Sequence, residues 1–330
     1  MNYFLNLKEM PKKLNDPLIL NEKNEILKLI KNKNGNNNTF YKEIFFTCDF
    51  KFGNLLVILN KLIFYCEIIG CKFIFLDKDI FWFITHKINI SIYNITIEAI
   101  DKSKYNNSFS TFYDPGNLFY NFFNIKPEVR IHYLKNEILS NLPKIYLSPR
   151  DLTIHIRSGD IFTIFAHSPY AQPPLCFYEN ILNYFKFNKV YLISQDNSNP
   201  VINYLLYNFP FIINKKNSLK NDIGLLINSY NIICSISSFL NSIIQINFNL
   251  KYLWDYKIYK TIEKIRQYHY DLYKIPNKNF TLFRMKPSFN YENIMYNWKN
   301  NKKQIKLMIK EKCINSFKIS YIHNYIQTPN

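Results

Sequence analysis

The chain has 330 residues, 48% hydrophobic and 18% aromatic, with 42 Lys and Arg against 24 Asp and Glu for a net charge of +18. That length suits two domains of ordinary size, each able to bury a core without staples. Lys and Asn run through the whole chain instead of gathering in one basic arm, which describes a solvated surface and argues against a nucleic-acid-binding protein.

Residues 1–40 are polar, with Asn36, Asn37 and Asn38 in succession, and read as a loosely ordered lead-in. Residues 43–48 form a short buried strand and 49–53 a turn. Leu55, Ile58, Leu59, Leu62, Ile63 and Cys66 recur close to the helical period, which predicts a helix over 54–69. Gly70 ends it where a left-handed cap is wanted, and 72–76 is the next strand. Alternation predicts a strand over 88–97, and a helix is expected over 129–142.

From residue 152 the pattern sharpens. Leu152, Ile154 and Ile156 alternate with Thr153, His155 and Arg157, a strand with period two. Pro169, Pro173 and Pro174 mark a rigid loop. Helices follow at 177–187, 200–207, 222–230 and 237–246, interleaved with strands at 190–194, 211–214, 232–235 and 251–254. The tail from 256 reads as mostly amphipathic helix with one strand near 280–285. Strands alternating with helices of this length make an α/β fold with parallel sheet. The divisions expected are a lead-in over 1–40, α/β domains over 41–148 and 149–255, and a helical extension over 256–330. Ligands in such sheets bind at the carboxyl ends of the strands, so a cleft between the two halves is expected.

Several classes of protein are disfavoured. The most apolar stretch, 44–76, is interrupted by Lys51, Asn54, Asn60, Lys61, Glu67 and Lys72, so no membrane span is expected. The first twenty residues lack the continuous apolar core of a secretory signal, and location is left open. Cys48, Cys66, Cys71, Cys176, Cys234 and Cys313 are scattered without zinc-ligand spacing. Cys48, Cys176 and Cys234 lie in apolar strings and are expected as buried thiols.

The chemistry-bearing residues lie mainly in the second half. His155 and Arg157 leave the same face of one strand, and Ser158-Gly159-Asp160 follows at its end. Arg157 would present a permanently charged planar fork suited to a diphosphate, with Asp160 orienting it or capping the next turn. Ser237 and Ser238 open a helix, where hydroxyls and free backbone N–H groups suit phosphate. Asp222 either caps its helix or accepts hydrogen bonds from a nucleobase edge. Asp196 follows a strand and either contacts nucleotide or caps the next helix. Asn54 offers the same choice in the first half. Asp77-Lys78-Asp79 spells the carboxylate pair of metal-dependent sugar transferases, but the phosphate role is already filled by Arg157 and the Ser237 helix start.

The segment His155-Ile156-Arg157-Ser158-Gly159-Asp160 resembles the HxRRGD-type motif of the alpha-1,2, alpha-1,6 and protein O-fucosyltransferases. Ser158 stands where the fullest form of the motif has a second Arg. The strand 231–235 running into Ser237-Ser238, with Asp222 before it, is similar to a later block of that family. Phe52-Gly53-Asn54 is similar to its turn facing donor sugar and acceptor. The resemblance covers 43–255 patchily, strongest over 152–240. It implies a GT-B-like fold of two Rossmann-like domains facing a cleft: an acceptor-side domain over 41–148 and a nucleotide-sugar-binding domain over 149–255. It implies a GDP-fucose or related GDP-sugar donor, a glycan or protein acceptor, inverting transfer, no metal and no cofactor. Donor contacts would come from His155, Arg157, Asp196, Asp222, Ser237 and Ser238; Arg157, Asp160 and Asn54 would be catalytic. Asp160 and Glu179 are the candidates for general base. The alternative is a catalytically silent glycan-binding protein of the same fold.

Overall fold

The computed structural model describes, with short internal gaps, residues 43–47, 55–103, 110–113, 134–256 and 279–323. Two compact units divide the chain at Asn141 and Leu142, and both are α/β. Asn54, Cys48 and the lead-in fall outside the described residues.

Unit 1 holds strands β1 (Glu43–Thr47), β2 (Phe73–Asp77), β3 (Ile88–Ile90), β4 (Ile95–Ile100) and β5 (Ser110–Tyr113), and helix α1 (Lys135–Ser140). Their order in the sheet is β3-β4-β2-β1-β5, parallel except for the edge strand β3. The described residues between 55 and 67 are helical and carry the expected apolar face; Leu55, Ile58, Leu59, Leu62, Ile63 and Cys66 are all buried. Gly70 does end this helix, at φ 75°. Its N–H reaches the Glu67 carbonyl, and the Cys71 N–H reaches the Cys66 carbonyl, the paired bonds of a Schellman cap. The single strand expected over 88–97 is instead two antiparallel strands, β3 and β4. Asn94, at φ 53°, makes the turn between them, a conformation Asn tolerates better than most side chains.

Unit 2 holds β6 (Leu152–His155), β7 (Val190–Ile193), β8 (Ile212–Ile213), β9 (Asn231–Ile233), β10 (Tyr252–Tyr256), β11 (Asn279–Met285) and β12 (Lys318–His323). The helices are α2 (Leu175–Tyr184), α3 (Pro200–Asn208), α4 (Leu219–Asn228), α5 (Ser238–Ile246), α6 (Phe289–Met295) and α7 (Lys302–Lys310). Strand order is β12-β11-β10-β9-β6-β7-β8. Six strands are parallel and β12 pairs antiparallel at the edge. The tail therefore contributes two strands to this sheet, where one was expected. Counting from β6, the parallel strands run 3-2-1-4-5-6, the doubly wound order. The chain moves outward from β6 to β8, then returns to lay β9 against the other side of β6. That reversal is the topological switch point, and ligands of such sheets bind beside it at the carboxyl ends.

Alternation along the strands sorts the side chains into two layers. Leu152, Ile154, Ile156, Val190, Leu192, Ile233, Trp254 and Met285 join Phe177, Tyr178, Ile181, Val201, Ile202, Tyr291, Trp298 and Met308 in one buried cluster. That cluster places α2, α3, α6 and α7 on one face. Helices α4 and α5 pack on each other, and Phe239 of α5 stacks near the ring of His155, which points to the opposite face. Cys176, expected as a buried thiol, is disulfide-bonded to Cys313. The fold brings the first turn of α2 against the segment that follows α7, a meeting across 137 residues that no local pattern signals. Cys234 is a buried free thiol as expected. No helix among the described residues is long and apolar enough to cross a membrane.

Candidate functional site

Strand β6 ends at His155, two residues before the alternation through Arg157 predicts. The Ile156 N–H still bonds the Ile193 carbonyl at 2.9 Å, so Arg157 sits just past the carboxyl end of β6. From there the chain enters a short 3-10 turn, Gly159–Phe162. Gly159 has φ 74°, and a Cβ there would lie 2.7 Å from Oε1 of Gln195. The backbone angle favours glycine, while the Gln195 amide is the end of a flexible side chain that can move aside.

The loop after β7 wraps this segment. Asp196 Oδ1 accepts from the Ser158 hydroxyl, the Gly159 N–H and the Ser198 N–H. Burial pushes the Asp196 carboxyl up, but the hydrogen bonds from Ser158, Ser198 and Gly159 outweigh it and hold it below the usual range. The Ser158 oxygen in turn accepts the Asn199 N–H, and Asn199 Nδ2 donates to the Arg157 carbonyl. Asn199 also caps α3 by accepting from the Val201 N–H. Asp196 is thus a loop latch and does not cap α3. Ser158 is 1% exposed, and its hydroxyl faces this latch.

The side chain of Arg157 is anchored at one end only. Its Nη2 lies 2.5 Å from Asp160 Oδ1, and its guanidinium stands 6.0 Å from the centre of the Tyr170 ring. Nε is buried and has no hydrogen-bond partner in the protein. Of the two roles considered for it, Asp160 takes the pairing with Arg157; it lies inside the 3-10 turn, whose N-cap is Ser158, and its Oδ1 accepts the neighbouring Ile161 N–H.

The segment that follows β9 supplies the other wall. The Ser235 hydroxyl lies 2.6 Å from His155 Nδ1, and it accepts the Arg157 N–H at 3.0 Å. His155 is held neutral: burial, and then the Arg157 charge, lower its pKa to about 3. Two residues on, Ser237 stands at the N-cap of α5, is 1% exposed, and makes no cap bond with its side chain. Its hydroxyl, like Arg157 Nε, is buried without a protein partner. Ser238 opens α5 by its backbone. Asn247 pins the far end of α5, donating to the Leu226 and Ser229 carbonyls. Gln172 is fully buried and clamps the Pro-rich loop to this turn, donating to the Tyr170 and Ile236 carbonyls, while its Oε1 is buried without a protein partner.

Asp222 does not cap its helix. Helix α4 begins at Leu219, and the Ser218 side chain is the cap, accepting from the Asn221 N–H. Because α4 follows β8 in a parallel sheet, its first turn rises from the same carboxyl edge as Arg157 and Ser237. Burial raises the Asp222 carboxyl to about 6, with a hydrogen bond from Asn217 pulling the other way. Between pH of about 4 and 6 the native carboxyl keeps a proton that the unfolded chain has released, so stability falls as pH rises and the loss is complete above 6. Asp222→Asn is therefore expected to exceed the wild type by about 1 kcal/mol at pH 7.5, after allowance for solvent screening, and to match it at pH 3.5. Urea melts at the two pH values check this.

Glu179 is tied to Asn208, the last residue of α3, at the amino edge of the sheet and away from Arg157. In unit 1, Asp77 Oδ1 accepts the Asp79 N–H and so closes its own turn; no cluster of three or more metal-ligating side chains occurs among the described residues. Sequence reading gave no site role to Ser235, read as part of the turn, nor to Asn199 and Gln195. Asn199 before Pro200 carries a helix-start signal; the other two depend on strand order and carry none.

Unit 2 therefore defines a doubly wound α/β protein whose switch point is flanked by Arg157 and Ser237. No protein-family model matches the chain, and no curated protein matches it. Among solved structures it is similar to the ADP-heptose lps heptosyltransferase II of E. coli, at 11% identity over 72% of this chain and 67% of that one, with a TM-score of 0.27. A likeness that distant carries no functional weight.

Proposed function

We propose that the chain is a glycosyltransferase that moves fucose or a related sugar from a GDP-sugar to a glycan or protein acceptor, with inversion and without a metal. One observation carries this reading: Arg157 Nε and the Ser237 hydroxyl, both buried without protein partners, flank the switch point between β6 and β9. An unsatisfied buried donor costs about 1–3 kcal/mol, and a diphosphate would satisfy both. Arg157 gives charge-assisted hydrogen bonds to the leaving phosphate, and the first-turn N–H groups of α5 add the partial charge of a helix start. Groups fixed in place stabilise the charge that develops as the sugar departs. Asp222, ionised above pH of about 6, accepts from the N–H edge of guanine.

The second reading, a silent glycan-binding protein, is favoured by the state of the candidate bases: Asp160 pairs with Arg157 and Glu179 with Asn208. Donor turnover separates the two. The purified chain with GDP-fucose is expected to release GDP well above the rate of Arg157→Ala. Equal rates would refute the transferase and leave the silent reading.

A further inference from the structure

The Ser235 side chain touches both His155 and Arg157, and it comes from the segment that follows β9. Its oxygen accepts the Arg157 N–H, and its hydroxyl lies against His155 Nδ1. With a neutral imidazole, a Ser235 hydroxyl that gives its proton to Nδ1 while its oxygen accepts the Arg157 N–H leaves the ring proton on Nε2. We propose that Ser235 is a positioning residue for the diphosphate: its bridge fixes the backbone of Arg157 at the end of β6 and holds His155 in the Nε2–H form, so that both donors stand ready. This rests on the donor reading given above.

The geometry favours positioning over direct contact. Ser235 is 4% exposed, and both its bonds run to groups of β6 and the residues just beyond it. It also precedes Ser237 by two residues, so the same bridge sets the distance between the end of β6 and the start of α5. Sheet pairing stops short of this point: the β6–β9 register ends at Ile154 and Ile233. Beyond that register the two chains are joined through the Ser235 hydroxyl.

The test uses Ser235→Ala and Ser235→Thr in the full chain, with GDP and guanosine as probes. Binding is measured by calorimetry, and the His155 ring nitrogens are read by nitrogen NMR and assigned with His155→Gln. The wild type is expected to show an unprotonated Nδ1 accepting a hydrogen bond. Ser235→Ala should lose that signature and bind GDP about tenfold more weakly, the worth of one or two hydrogen bonds, with guanosine unaffected. Ser235→Thr, which keeps the hydroxyl, should restore both. A general loosening of the fold would weaken GDP and guanosine alike and would overturn the positioning role. Unchanged His155 resonances in Ser235→Ala would overturn the bridge. If wild-type protein binds GDP no better than guanosine, the donor reading fails, and the His155 signature still decides whether Ser235 makes the bridge.

Discussion

Arg157→Ala is expected to weaken GDP binding by at least about 100-fold while leaving guanosine binding unchanged. Two charge-assisted hydrogen bonds to phosphate are each worth about 1.5–3 kcal/mol, and each 1.4 kcal/mol is a factor of ten. The loss falls on the phosphate because the guanidinium has one committed partner, Asp160, and an uncommitted buried Nε. The fold should survive: Asp160 is 41% exposed, so losing its partner leaves a hydrated carboxylate. Arg157→Lys keeps the charge but loses the fork, and a point charge does not reproduce planar recognition; recovery should be partial. Calorimetry with both ligands, next to a thermal melt of each variant, checks this. Equal losses for GDP and guanosine would place Arg157 outside any phosphate contact.

Reduction of Cys176–Cys313 is expected to cost about 2–5 kcal/mol of unfolding free energy. The bond spans 137 residues and so closes most of unit 2 into one loop, near the upper end of the chain-entropy range. It joins the first turn of α2, which follows the Gln172 loop, to the segment after α7. At about 2–4 °C per kcal/mol for a domain of this size, the melting temperature should drop by roughly 5–15 °C in dithiothreitol, and likewise in Cys176→Ser. Alkylation after denaturation without reductant should label Cys66, Cys71 and Cys234 and spare Cys176 and Cys313. A melt indifferent to reductant, or ready alkylation of Cys176, would contradict the bond. Bonds of this kind persist where thiols are kept oxidised.

Local chemistry was readable in the sequence, and partners far apart along the chain were not. The apolar face over Leu55 to Cys66 and the left-handed Gly70 follow from periodicity and backbone sterics, and both stand as expected. So does the alternation of strand and helix from residue 152 onward, because each short apolar strand must be covered on both faces. The return of β9 to the side of β6 is different. Nothing within the segment 231–233 says which strand it will pair with, yet that pairing puts Ser235 against His155 and Arg157. The Cys176–Cys313 bond and the edge strand β12 have the same origin in non-local packing. Asp222 shows a subtler limit. Asp and Ser both suit helix starts, and the sequence offers Ser218 and Asp222 four residues apart; the extended backbone of Ser218 is what decides between them. The part Ser158 plays in the Asp196 latch likewise needed the loop after β7 in place.

The most direct measurement is a crystal structure of the chain soaked with GDP. The β-phosphate is expected within hydrogen-bond reach of both Arg157 Nε and the Ser237 hydroxyl, with guanine toward Asp222. Nucleotide bound away from the carboxyl ends of β6 and β9, or a diphosphate touching neither residue, would contradict the shared site.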